Sequence, residues 1–197
     1  MMINDIDRLQ RKLNWATLLR NLLYHLGFNY VWLAQGVGNV PHFLHVVKQR
    51  LNDNFVQEWN NRITLSPRAR FYTLFNSFGD SKYLETIKIR KFRVALTRLR
   101  VSSHRLKIES GRWHKPNSIP LNERKCATCN TLEDEYHFII ECPNYLEYRR
   151  IHIKQYYWKH PNMIKFLELI GTENIKDIIQ LAKYIFKSFK LRNDMYK

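Results

Sequence analysis

All three cysteines of this chain lie close together, and a histidine falls between the second and the third of them. The spacing is Cys126-x2-Cys129-x7-His137-x4-Cys142. A two-residue gap lets two thiolates of one tight turn point at the same ion, and a four-residue gap brings a histidine and a cysteine together from one helical turn or loop. Three thiolates and one imidazole fill a tetrahedral shell without an open position, which is typical of structural zinc. We therefore predict that these four residues bind one Zn²⁺.

Two other kinds of cysteine chemistry fit this spacing less well. A redox Cys-x-x-Cys pair is expected within a βαβ pattern, which the sequence lacks. A Cys–His nucleophile would leave two neighbouring cysteines without a purpose. The other histidines are expected to be surface or packed residues, and His114 is the nearest alternative ligand.

The segment 126–142, here called the knuckle, is too small to hold an apolar core. Metal binding must therefore supply its folding free energy, on the order of 10 kcal/mol for small structural zinc units. We predict that removing one cysteine melts the knuckle and leaves the flanking helices standing. The acidic run Glu133-Asp134-Glu135 lies inside the knuckle. It is expected either to orient His137 by a hydrogen bond or to cap the helix that carries His137.

The charge of the chain is strongly unbalanced, with 33 Lys and Arg against 17 Asp and Glu and a formal net charge of +16. Such a surface attracts polyanions, which include nucleic acid, an anionic membrane face and acidic proteins. The metal motif favours nucleic acid among these partners. For any single basic helix, simple solvation of the charges is the alternative.

Basic residues are concentrated between positions 82 and 115. At 100° per residue, Ile89, Phe92, Leu96 and Leu99 share one inward face of a helix, and basic residues occupy both flanks of that face. Both flanks can then reach phosphates. The predicted nucleic-acid contacts are Arg90, Lys91, Arg93, Arg98, Arg100, Arg105, Lys107 and Arg112.

Helical spacing of apolar residues dominates the rest of the chain. Gly27 is placed to end a first helix that begins near position 5, and Asn39 indicates the start of another. Further helices are predicted at 145–158 and 172–191, while the short alternation at 105–109 is typical of a strand.

The predicted fold class is mainly α, a bundle-like helical body with a small zinc knuckle and room for one short hairpin. Three domains are predicted. These are an N-terminal helical region (1–79), a basic helix with the zinc knuckle (80–160) and a C-terminal helical region (161–197).

Several classes of protein lack support in the sequence. No stretch reaches the ~18 uninterrupted apolar residues of a membrane span, and the amino terminus lacks the basic and apolar regions of a secretory signal. The clustered cysteines leave none for a disulfide framework, so we predict an intracellular protein of the nucleus or cytoplasm without a membrane partner. The chain has no Asp-Asp pair, Gly-rich phosphate loop or hydrolase motif, so it is not expected to be an enzyme by itself.

A wider set of motifs surrounds the cysteines. The run RKFRVALTRLR at 90–100 is followed by SHRL at 103–106, GRW at 111–113, and the cysteine-histidine motif with EDE at 133–135 and a final Cys-Pro. This set resembles the zinc-binding region near the carboxyl end of reverse transcriptases of non-LTR retrotransposons, over about residues 88–150.

The resemblance implies zinc ligation by Cys126, Cys129, His137 and Cys142, and contacts to template RNA or target DNA by the arginines of 90–112. The polymerase and endonuclease sequences of that family are absent from this chain. The resemblance therefore implies a non-catalytic, carboxyl-terminal part of such an enzyme.

Two hypotheses of function follow. In the first, the chain is a zinc-dependent nucleic-acid-binding region, in which Trp113, Tyr136 and Tyr145 either stack on unpaired bases or fill a small core around the knuckle. In the second, it is a zinc-stapled helical scaffold for a protein partner, and the charge serves solubility or encounter rate. The first hypothesis predicts that binding falls steeply with salt. It also predicts that joint replacement of Arg93, Arg98 and Arg100 abolishes binding without loss of the fold.

Overall fold

The computed structural model describes residues 15–68, 70–76, 78–79 and 81–196. Within these ranges the chain is mainly helical, which confirms the predicted fold class. The part of the predicted first helix before Trp15 lies outside the described residues. The α-helices are α1 (Trp15–His25), α2 (Asn29–Ala34), α3 (Val40–Leu65), α4 (Tyr72–Phe75), α5 (Tyr83–Thr86), α6 (Arg90–Arg100), α7 (Lys107–Ser110), α8 (Leu146–His152), α9 (Gln155–Trp158), α10 (Met163–Ile170) and α11 (Ile175–Met195). No helix in the described part of the chain is both long and apolar enough to cross a membrane.

The chain divides into two compact units, Met1–Asn61 and Arg62–Lys197. A small core of the first unit contains Phe28 and Val31, and the Phe28 ring meets the Phe43 ring edge-on at 5.4 Å. All residues predicted to bind metal or nucleic acid belong to the second unit. The domain boundaries proposed from the sequence, after positions 79 and 160, stay predictions.

The core of the second unit forms where the basic helix α6 packs against α11. Leu96 and Leu99 are almost fully buried, as the inward face of the helix predicts, and they share a core with Leu181. Phe92 is half-buried against the same core, whereas Ile89 precedes the helix in extended conformation and is exposed. The apolar face of α6 therefore anchors the helix and leaves its flanks to the surface.

The strand predicted at 105–109 is wrong, because this segment contains the helical turn α7. Two backbone N–H groups in this turn find acceptors on Glu133. The Lys107 N–H donates to the Glu133 carboxylate at 2.8 Å, and the Ile108 N–H donates to the Glu133 carbonyl at 3.1 Å. Because the first N–H groups of a helix have no partner within it, these distant acceptors stabilise a turn that the local alternation does not predict.

Two predicted helices have bounds in the structure that differ from those predicted from the sequence. The helix expected at 145–158 is broken at Ile153, whose extended backbone separates α8 from α9. The last helix begins at Ile175 rather than near Thr172, because the Asn174 side chain accepts the backbone N–H groups of the first turn.

Candidate metal centre

The first two cysteines lie on a tight turn closed by the single antiparallel bridge of the described residues, between Lys125 and Leu132. The Cys126 N–H donates to the Thr131 carbonyl at 2.8 Å, and the Cys126 carbonyl accepts from the Asn130 N–H at 2.9 Å. Asn130 has φ = 55°, in the left-handed region that asparagine tolerates better than most residues. No strand flanks this turn in the described residues, so the short hairpin for which the predicted fold left room is reduced here to a single bridge.

The other two residues of the cluster lie at the ends of a π-helical turn, His137–Glu141, where the Cys142 N–H donates to the His137 carbonyl at 2.8 Å. This hydrogen bond joins residues five positions apart, as is typical of a π turn, and it links the backbone of His137 directly to that of Cys142. The Asp134 carboxylate accepts the His137 backbone N–H at 2.9 Å. The capping role predicted for the acidic run is therefore filled by its middle residue.

The four side chains converge. One ligand atom from each of Cys126, Cys129, His137 and Cys142 can be chosen so that all lie within 4.8 Å of one another. The sulfur of Cys142 is 4.0 Å from that of Cys126 and 3.9 Å from that of Cys129, far beyond a disulfide bond. Tetrahedral coordination with metal–sulfur bonds of about 2.3 Å requires sulfur–sulfur separations of about 3.8 Å. The cluster can therefore hold a metal ion with little movement, and His114, which is exposed, takes no part in it.

The orientation of the His137 ring suits metal binding. Its Nδ1 lies 3.3 Å from the Glu141 carboxylate and 3.3 Å from the Thr131 hydroxyl. A carboxylate at this distance favours the tautomer with the proton on Nδ1, which leaves a lone pair on Nε2. The Nε2 atom is buried and has no hydrogen-bond partner in the described part of the chain. The carboxylate that orients His137 is thus Glu141 rather than the acidic run 133–135.

The thiols of the cluster differ in acidity. Burial raises the pKa of Cys126, but the opposing effect of the neighbouring polar groups, with the backbone N–H groups of Cys129 and Thr128 among them, outweighs burial and lowers that pKa to about 7. Burial raises the pKa of Cys142 to about 12, and the neighbouring Cys126 and Cys129 add to this effect. The pKa of Cys129 is also raised, by burial and by the charge of Cys126. A single thiolate therefore forms readily in the metal-free protein.

Metal binding is expected to release about two protons per ion near pH 8, because Cys129 and Cys142 must lose protons that the metal-free site retains. Since proton release accompanies binding, the affinity should rise with pH. Calorimetry of metal binding in buffers of different ionisation enthalpy measures the number of protons released. An affinity and heat that do not depend on pH or buffer would contradict this prediction.

Sequence reasoning missed the side chains that hold the knuckle from outside. Glu133 accepts two hydrogen bonds from Arg192, at 2.7 and 2.8 Å, and both residues are buried. Glu135 accepts hydrogen bonds from Ser102 at 2.6 Å and from His104 at 2.8 Å. Burial raises the pKa of Glu135, but the bonds from His104 and Ser102 outweigh burial, so this pKa is below its ordinary value. The sequence signal that could have indicated these contacts is the run of three acidic residues in an otherwise basic chain.

Comparison with known proteins does not assign this chain to a family. No protein family, curated protein or solved structure matches this chain.

Of the residues predicted to contact nucleic acid, Arg90, Lys91, Arg98 and Arg105 are exposed. In the described part of the chain, no hydrogen bond or ion pair engages the side chains of Arg90, Arg98 or Arg105. The Lys91 ammonium lies 5.3 Å from the centroids of the Phe92 and Phe186 rings. These four cations are available to an external anion.

Arg93, Lys107 and Arg112 are half-buried, and each contacts another part of the second unit. Arg93 donates to the backbone carbonyls of Leu84, within α5, and of Ile87, directly after it, each at 3.2 Å. Arg112 donates to the Glu109 carboxylate at 3.1 Å, and the Lys107 ammonium lies 5.9 Å from the Tyr196 ring. Replacing any of these three would disturb local structure as well as charge.

Arg100 does not fit the predicted surface contact. Its side chain is buried, and its guanidinium donates to the Ile170 carbonyl. At 100° per residue Arg100 lies at the edge of the apolar face of α6. Residues 171–173, which follow α10, lie beside its side chain and help to bury it. Arg100 is therefore unsuitable for the triple replacement intended to remove binding without affecting the fold.

Proposed function

We propose that the second unit is a zinc-dependent nucleic-acid-binding region of the kind found near the carboxyl end of non-LTR retrotransposon reverse transcriptases, without a catalytic centre of its own. The observation that carries the proposal is the ligand cluster. The four residues whose spacing resembles that family bring one ligand atom each within 4.8 Å of the others. The nucleus or cytoplasm is the compartment that suits three reduced cysteines.

Zinc is the proposed ion because the donor set consists of three sulfurs and one imidazole nitrogen. Thiolate and imidazole ligands in tetrahedral geometry suit Zn²⁺, and a shell filled entirely by protein leaves no position for substrate. The ion would therefore hold the knuckle in shape. Elemental analysis of the purified protein should find about one zinc per chain.

Nucleic acid is the proposed partner because exposed cations accompany an exposed aromatic ring in the second unit. Trp113 is 64% exposed, and the Arg68 guanidinium lies 4.6 Å from its ring. Tyr145 is buried and Tyr136 packs edge-on against Phe166, so these two rings belong to the core. Stacking on unpaired bases is thus assigned to Trp113, which favours single strands.

The test is a salt titration of binding to single-stranded RNA, single-stranded DNA and duplex DNA. The triple variant Arg90→Gln/Arg98→Gln/Arg105→Gln should weaken binding at least ~10-fold and reduce the salt slope by about 2–3, because each phosphate contact contributes roughly one unit to that slope. The fold should be unchanged, since these side chains are exposed. Fluorescence anisotropy of labelled strands and thermal unfolding measure the two effects.

A matched control removes three positive charges elsewhere on the second unit. It replaces three exposed lysines with glutamine: Lys159, Lys176 and Lys190. Equal loss of affinity in the two triple variants would mean that only net charge matters. Weak binding by the unmodified zinc-loaded protein at physiological salt would reject the nucleic-acid function.

The second candidate is a zinc-stapled scaffold for a protein partner. The observation that favours it is the exposure of large apolar side chains on α1 and α3, including Trp15, Leu18, Leu44 and Leu51. Exposed apolar patches are common at protein interfaces. This candidate predicts zinc-dependent folding together with weak nucleic-acid binding.

A further inference from the structure

A cavity of about 130 Å³ lies in the second unit, between α5, the end of α6 and the loop that joins α10 to α11. Its lining includes Phe75, Lys82, Tyr83, Arg100 and Glu173. A cavity of this size has room for several waters or one small oxyanion.

The unusual group in this cavity is the Arg100 guanidinium. Arg100 is 8% exposed, and its Nε–H is buried without a hydrogen-bond partner in the described part of the chain. Its one hydrogen bond to protein there goes to the Ile170 carbonyl, a neutral acceptor. The carboxylate of Glu173 in the cavity lining attracts Arg100 through its charge but accepts no hydrogen bond from it among the described residues, so the solvation that burial removes is only partly replaced.

The other buried arginines show that this chain satisfies such groups elsewhere. Arg124, Arg149 and Arg192 are also buried. In each of them the Nε–H donates to a protein acceptor, at 2.8, 2.8 and 2.7 Å respectively. Arg192 also has the carboxylate of Glu133 as a partner. The unpaired Nε–H of Arg100 is thus a property of its cavity rather than of buried arginines in this fold.

Aromatic rings fix the plane of this guanidinium. Its central carbon lies 4.5 Å from the centroid of the Tyr83 ring and 5.6 Å from that of Phe75. Ring contacts of this kind orient a guanidinium without using its N–H groups. The Nε–H therefore stays available for a charge-assisted hydrogen bond of the kind that arginine donates to phosphate and carboxylate groups.

A second cation lies at the edge of the cavity. The Lys82 ammonium is 2.8 Å from the Glu173 carboxylate, and both side chains are largely exposed. An exposed ion pair of this kind constrains its lysine only weakly, so Lys82 can turn to meet an incoming anion. Glu173 opposes an anion through its charge and should limit the affinity of the site.

We propose that this cavity, here called the Arg100 pocket, is a phosphate-binding site. Two cations, one of them a fixed guanidinium, favour a small, multiply charged oxyanion over a singly charged carboxylate. The phosphate is either inorganic phosphate or the terminal phosphate of a nucleic-acid strand, and the second source rests on the proposed nucleic-acid function.

The first experiment uses the full chain loaded with zinc and inorganic phosphate as the probe. Sodium phosphate should raise the melting temperature above that in sodium chloride of the same ionic strength, and ³¹P line broadening should give the dissociation constant. Glu173→Gln should tighten binding several-fold, because it removes the opposing charge and its side chain is exposed. Arg100→Met should weaken binding at least ~10-fold, because it removes the charge-assisted hydrogen bonds.

Two further variants keep the proposal testable if Arg100→Met does not fold. Lys82→Gln should weaken phosphate binding, and the matched control Lys190→Gln, which removes an exposed lysine away from the pocket lining, should not. If phosphate stabilises neither the unmodified protein nor Glu173→Gln more than chloride does, the proposal is wrong and Arg100 is a hydrated structural residue.

The second experiment distinguishes the sources of phosphate. Strands carrying a 5′-phosphate, a 3′-phosphate or only hydroxyl ends are compared in the unmodified protein, Glu173→Gln and Lys82→Gln. Tighter binding of one phosphorylated end, lost in Lys82→Gln, identifies the strand terminus as the ligand. Binding of inorganic phosphate without any end preference identifies the free ion. Strands with hydroxyl ends test the proposed nucleic-acid function independently, so the two proposals can fail separately.

Discussion

Replacing Cys142 with serine is expected to abolish metal binding and to unfold most of the second unit. The sequence alone predicts a smaller effect, in which the knuckle melts and the helices remain. The structure changes this expectation because Phe138, Ile139 and Ile140, which lie between the last two ligands, are almost fully buried in the main core. Loss of the metal would therefore release core residues as well as a surface loop.

Hydrogen bonds tie the same segment to the helices around it. The Tyr184 hydroxyl of α11 lies 3.0 and 2.9 Å from the carbonyls of Phe138 and Ile139. Arg149 of α8 donates to the carbonyls of Ile139 and Cys142. A structural zinc ion contributes on the order of 10 kcal/mol to folding, comparable with the stability of a whole domain. Melting of the knuckle and of its surroundings should therefore be one transition.

Circular dichroism and zinc content measure this outcome together. Cys142→Ser, or treatment of the unmodified protein with a strong chelator, should remove most of the helical signal that belongs to the second unit. Ala127→Ser is the control, because it adds a hydroxyl to an exposed position of the same turn and leaves all four ligands in place. A variant that loses zinc but keeps its cooperative helical melting would favour the smaller effect.

Breaking the buried pair between Glu133 and Arg192 is expected to cost about 3–5 kcal/mol of unfolding free energy. Arg192→Met leaves the Glu133 carboxylate, which is 2% exposed, without its cationic partner. Among the described residues, the Lys107 N–H is then its remaining hydrogen-bond donor. Glu133→Gln leaves the guanidinium without an opposite charge. The double variant should lose much less than the sum of the two single losses, because it leaves no unpaired charge in the interior.

Urea unfolding of the four species gives the coupling energy between the two side chains. An exposed pair of the same fold is the control, since Arg150 and Glu147 lie 2.9 Å apart with side chains 56% and 78% exposed. Glu147→Gln and Arg150→Met should each change stability by less than about 1 kcal/mol. Additive losses at Glu133 and Arg192 would show that the two charges are stabilised independently.

The parts of the structure that sequence predicts best are those encoded over short distances. The ligands Cys126, Cys129, His137 and Cys142 lie within one segment, so their spacing already limits the geometry. The inward face of α6 follows from helical periodicity, and the burial of Leu96 and Leu99 confirms it. Local patterns of this kind do not depend on which distant residues pack against them.

The features that sequence does not predict depend on partners far along the chain. Glu133 and Arg192 are 59 residues apart, and no local pattern pairs them. Arg100 is enclosed by residues near 170–173, so its helical position alone indicates a surface side chain. The turn α7 forms against a local strand pattern because Glu133 supplies its acceptors. In each case a contact between residues distant in sequence determines the structure, and the local sequence pattern does not contain that contact.

The knuckle is separated along the sequence from the residues of α11 that hold it, and this separation has a consequence for synthesis of the protein on the ribosome. All four ligands have been synthesised by residue 142, whereas Tyr184 and Arg192 of α11 follow more than forty residues later. A nascent chain can therefore gather its metal ligands before it can bury the segment between them. During that interval Phe138, Ile139 and Ile140 lack their final cover, and a chaperone that shields apolar segments would act at this stage.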